Sequence, residues 1–110
     1  MTPKEYKRAR KRLTKEGILI QIGVRNGEPV YGFAPVDPAI EALAVLAETA
    51  GDDFCSDPRA WVANALRQRA DLQDMPERTL LGFLSVALLQ RGCDWAFEAA
   101  WDARSSVLPH

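Results

Sequence analysis

Hydrophobic positions along the chain change period twice. Between residues 3 and 16 they are sparse and lie three and four apart, at Tyr6, Ala9 and Leu13, which is the spacing of one helix face. Between residues 18 and 33 they alternate with polar or small residues, as in a strand pair, and from Pro38 onward they return to helical spacing. The pattern predicts an α+β fold: an N-terminal basic helix and a two-stranded β-hairpin packed on a C-terminal bundle of about four helices. Residues 1–110 fit a single domain, divided into helix plus hairpin at 1–35, bundle at 37–104 and a frayed tail at 105–110.

The ends of these elements are written in the sequence. Thr2 is placed to cap the first helix, Pro3 suits its first position, and Glu5 can reach back to the Thr2 amide. Gly17 ends that helix after Glu16, because a residue without Cβ accepts the left-handed C′ conformation. Asn26-Gly27 between the alternating runs predicts a two-residue type I′ turn. That turn pairs Arg25 with Glu28, Ile22 with Tyr31 and Ile20 with Phe33, so Ile18, Ile20, Ile22, Val24, Pro29, Tyr31 and Phe33 are expected to share one buried face.

In the bundle, Asp37-Pro38 opens a helix that stops before Gly51, and Asp57-Pro58 opens one running to about Leu72. A third, near Met75 to Arg91, has Pro76 in its first turn, and Gly92 ends it. Asp94 is expected to cap a fourth, through about Arg104. Leu80, Leu81, Phe83, Leu84, Val86, Leu88 and Leu89 make the third helix apolar nearly all round and therefore central. Asp52-Asp53 reads as a polar loop. Of the three tryptophans, at least two are expected in packing, with Trp95 the most exposed; together with Leu108 it could form a surface patch.

Charge changes this picture more than composition does. The formal net charge is −1, but residues 1–26 hold eight Lys and Arg against two Glu, a net +6. The remainder holds six Arg against thirteen acids, a net −7. The basic arm and the acidic body are thus distinct. The longest apolar stretch, interrupted by Gly82 and Ser85, is far below the roughly 20 residues that span a bilayer, so no membrane role is expected. Two cysteines without a signal-peptide pattern point to reduced thiols in a cytoplasm.

No catalytic constellation is legible, and the chain is not expected to be an enzyme or to carry a cofactor. The sole histidine is His110, so a Ser-His or Cys-His pair is not assembled. Cys55, Cys93 and His110 are fewer than the four ligands of a structural zinc site, although Cys93, near a helix start, is placed for a somewhat lowered pKa. Gly23-x-x-x-Gly27 is turn chemistry without the Lys-Ser/Thr of a phosphate loop.

The run Arg8-Ala9-Arg10-Lys11-Arg12-Leu13-Thr14-Lys15-Glu16-Gly17-Ile18-Leu19, followed by a hairpin with Gly at its tip and an aromatic on the return strand, resembles the recognition helix and wing of winged helix-turn-helix proteins. The resemblance covers about residues 2–34. In that family two helices precede the recognition helix, whereas here the helix starts at Thr2; its support would then come from the later helices, or the unit serves another purpose. The resemblance implies a DNA-binding transcriptional regulator, with double-stranded DNA as partner.

It further implies contacts from Lys4, Lys7, Arg8, Lys11, Arg12 and Lys15 in the major groove, and from Arg25 beside the wing tip. Paired half-sites would favour a homodimer. Neutralising about six phosphates would give a slope of roughly −5 for log affinity against log salt. The alternative is a phage- or plasmid-type inhibitor or adaptor that docks the same helix-hairpin face on an acidic partner protein.

Overall fold

A computed structural model describes residues 2–107, apart from the side chain of Tyr6. The expectations for Tyr6 in the apolar stripe, for Leu108 and for His110 lie outside the described residues. The fold is α+β, and the chain divides into two compact units, Met1–Pro35 and Val36–His110.

The first unit holds helix α1 (Pro3–Lys15) and strands β1 (Leu19–Arg25) and β2 (Glu28–Phe33). The capping box closes as expected. Thr2 Oγ1 accepts from the Glu5 amide and Glu5 Oε2 accepts from the Thr2 amide, both at 3.2 Å, satisfying two donors that a helix start leaves free. At the other end Gly17 takes φ 81°, its amide donates to Thr14 O, and the Ile18 amide donates to Leu13 O at 2.9 Å. This pair of bonds is a Schellman ending. It turns the chain directly into β1 at Ile18, which is fully buried.

The turn has positive φ at Asn26 (52°) and Gly27 (80°), as a type I′ turn requires, and Arg25 pairs with Glu28. Beyond that the expected register fails. A bulge at Ile22 makes Gln21, not Ile22, the partner of Tyr31, and pairs Ile20 with Gly32 and Leu19 with Phe33. One inserted residue reverses the alternation. Leu19, Gln21, Val24, Pro29, Tyr31 and Phe33 therefore share one face, while Ile20 and Val30 lie on the other. Ile22 folds over Gly32, where a Cβ would sit 3.1 Å from Ile22 Cδ1. The single buried face is not formed: Ile20, Ile22, Val24 and Phe33 are exposed.

The second unit is helical: α2 (Pro38–Ala50), α3 (Asp52–Ser56), α4 (Pro58–Leu66), a 3-10 turn (Ala70–Leu72), α5 (Glu77–Gln90) and α6 (Asp94–Ser105). Asp37 and Asp57 cap α2 and α4 through their carboxylates. As expected, α5 is central. Leu80, Leu81, Leu84, Val86, Ala87 and Leu88 are buried on it, and it packs against α2 and α6.

Four expectations need correction. Asp52-Asp53 opens a helix rather than a loop, because Phe54 drops into the core and meets Trp61 edge-on at 5.2 Å. Helix α4 stops at Leu66, and Leu72 reaches the core from a separate turn. Cys93, not Asp94, occupies the cap position of α6, without a side-chain cap bond. Ser106 and Val107, expected in a frayed tail, are anchored, since Val107 is buried and its carbonyl accepts from Arg78 Nη1 at 2.8 Å.

Candidate nucleic-acid interface

The candidate surface is built on α1. At about 100° per residue, Lys4, Lys7, Arg8, Lys11, Arg12 and Lys15 fall within an arc of about 140°. They are linked by three- and four-residue spacings, and all six are exposed. From Lys4 to Lys15 the row is about 16 Å long at 1.5 Å per residue. That exceeds the roughly 12 Å width of a B-DNA major groove.

Ala9, Arg10 and Leu13 occupy the opposite side of the helix, and none of the three is exposed. Arg10 is thus separated from the other cations. Its guanidinium lies over the Tyr31 ring, 5.1 Å from the centroid. A contact of this kind contributes about 0.5–1 kcal/mol near a surface. Arg10 thus joins the side of α1 opposite the six exposed cations to the hairpin face that carries Tyr31.

Arg25 is exposed at the end of β1, opposite Glu28, so the charge at the hairpin tip is partly balanced. The side chains of Val24 and Pro29, one pair back from Arg25–Glu28, belong to the Tyr31 face and are exposed. Arg10 covers this face farther from the turn, at Tyr31. Val24 and Pro29 therefore project from the same hairpin face as Tyr31, and Arg25 and Glu28 from the opposite one. The sequence reading missed Val24 and Pro29 as surface groups, because regular alternation assigned them to a buried face.

The second unit carries the opposite charge. Glu41, Asp52, Asp53, Asp57, Asp71, Asp74, Asp94, Glu98 and Asp102 are exposed there, and the ion pairs Arg59–Glu77 and Arg91–Glu48, both at 2.7 Å, draw on two of its arginines. Two other arginines are buried. Arg78 donates to the Arg104 and Val107 carbonyls, and the Arg104 guanidinium lies 4.8 Å from the centroid of the Trp101 ring. Trp61 and Trp101 are partly buried and packed on Phe54 and Phe97, whereas Trp95 is 48% exposed.

Cys93 is buried, and Cys55 is partly buried against the same core. Burial first, then the Asp52 carboxylate and Cys93, push the Cys55 thiol above its ordinary value. Among the described residues no three His, Cys, Asp or Glu side chains are grouped to hold a metal ion. No helix among them is long and apolar enough to cross a membrane. Comparison with protein-family models, curated proteins and solved structures found no match for the chain.

Proposed function

We propose that the chain is a small DNA-binding protein, a regulator of winged-helix type that reads duplex DNA with α1 and uses the hairpin as its wing. The observation that carries this reading is the separation of cations on α1. Arg10 is turned inward onto Tyr31, while Lys4, Lys7, Arg8, Lys11, Arg12 and Lys15 remain exposed in one row of groove-spanning length. Arginine forks on such a row can bond guanine edges bidentately, and the lysines can neutralise phosphates. Arg25 at the tip would add a phosphate or minor-groove contact.

Fluorescence-anisotropy titration of labelled mixed-sequence duplex tests the reading. Arg8→Ala/Arg12→Ala should weaken binding and lower its log–log salt slope by about two, since each arginine removed leaves one phosphate un-neutralised. Equal affinity of variant and wild type would remove α1 from the interface.

A second reading, docking of the same unit on an acidic partner protein, is favoured by the exposed Ile20, Ile22 and Phe33. Apolar groups among cations suit a protein interface. It would be supported by failure of the wild type to bind duplex at low salt together with charge-dependent binding to a purified acidic protein.

A further inference from the structure

We infer that the hairpin tip is a minor-groove wedge: Val24 and Pro29 insert against a base step and bend the duplex that α1 holds. The inference rests on the nucleic-acid reading and adds to it a mode of binding. Val24 stands directly opposite Pro29, next to the two-residue turn, and is 66% exposed; Pro29 is exposed as well. In an antiparallel ladder the pair behind the turn-closing pair is a non-hydrogen-bonded one, in which side chains stand closest. Pro29 thus costs no ladder bond, and the two side chains form one compact apolar knob.

The knob is stiff. Proline has no rotamers to lose, a β-branched valine has few, and the turn is held by positive φ at Asn26 and Gly27. Apolar side chains, proline among them, are the groups that unstack base steps from the minor groove. The knob projects from the hairpin face that carries Tyr31, nearer the turn than the Arg10–Tyr31 contact.

Charge complementarity selects DNA as the occupant. The N-terminal 26 residues carry a net +6 from eight Lys and Arg against two Glu, while the turn-closing pair Arg25 and Glu28, on the other face from the knob, is balanced. Width then decides what DNA must do. Two strands about 4.8 Å apart, with their side chains, exceed a minor groove about 6 Å wide. The groove has to open, and wedge insertion with a kink toward the major groove opens it.

The test uses the full chain and a duplex of roughly 30 base pairs with a central T-A step, a flexible step that kinks readily. Dyes at the two ends report bending by energy transfer, and 2-aminopurine beside the step reports unstacking. Wild type should raise both signals at saturation, with a bend of about 20–90°. Val24→Ser/Pro29→Ser should retain salt-sensitive binding and leave the duplex straight. Val24→Ile, which keeps the bulk, should bend it as wild type does. A straight duplex under saturating wild type, or equal bending by the serine variant, would overturn the wedge while leaving the DNA reading intact. Absence of salt-sensitive binding by wild type would overturn both.

Discussion

Removing the Phe54 ring should destabilise the helical unit far more than a change in a polar loop would. Phe54 is the fully buried residue of five-residue α3, and its ring meets Trp61 at 5.2 Å and 85°. Phe→Ala in a core typically costs about 3–5 kcal/mol, part of it the edge-to-face contact, itself about 0.5–1.5 kcal/mol. A unit of roughly 75 residues is stable by about 4–11 kcal/mol, so Phe54→Ala removes a large fraction of the total. At about 4–8 °C per kcal/mol for a domain of this size, Tm should fall by at least about 12 °C. Tryptophan fluorescence is a selective probe, because Trp61, Trp95 and Trp101 all lie in this unit; far-UV circular dichroism supplies a second. A fall of less than about 4 °C by both probes would refute the role assigned to α3.

Thr2→Ala should weaken the start of α1 by about 1 kcal/mol, read as faster amide exchange at Glu5; unchanged exchange would contradict the capping box. Arg78→Met keeps the aliphatic stem but deprives the Arg104 and Val107 carbonyls of a donor. It should cost about 1–3 kcal/mol and make the end of α6 easier to cleave by protease, whereas an unchanged Tm and cleavage pattern would contradict that anchor. Cys55 should alkylate more slowly in the folded chain than in urea below its ordinary pKa of 9.0. A raised pKa leaves less of the reactive thiolate at each such pH, and the gap should narrow as pH rises through the shifted value. Equal rates near neutral pH would contradict the burial of this thiol.

Local signals in the sequence identified the elements, because capping and turn chemistry act over a few residues. Thr2, Pro3 and Glu5 start α1, Gly17 ends it, and Asn26-Gly27 sets the turn; each depends on backbone geometry that few other residues satisfy. The bulge was illegible because Ile18, Ile20 and Ile22 alternate perfectly. What breaks the pattern is the bare surface of Gly32, which accepts the Ile22 side chain. Helix α3 was missed for a different reason: five residues with one aromatic show no period, and two aspartates read as solvated.

The candidate interface was partly legible. Lys4, Lys7, Arg8, Lys11, Arg12, Lys15 and Arg25 are all exposed. Nothing in the residue type set Arg10 apart from its neighbours; its place on the apolar side of α1 and the tertiary position of Tyr31 do that. The exposed pair Val24 and Pro29 followed from the shifted register and could not precede it.

The salt dependence of duplex binding tests the role of the cationic row of α1 most directly. If about six phosphates are neutralised, log affinity should fall against log salt with a slope of roughly −5, and Lys7→Ala/Lys11→Ala should reduce that slope by about two. A wild-type slope near zero, or the same slope after both lysines are removed, would contradict the account.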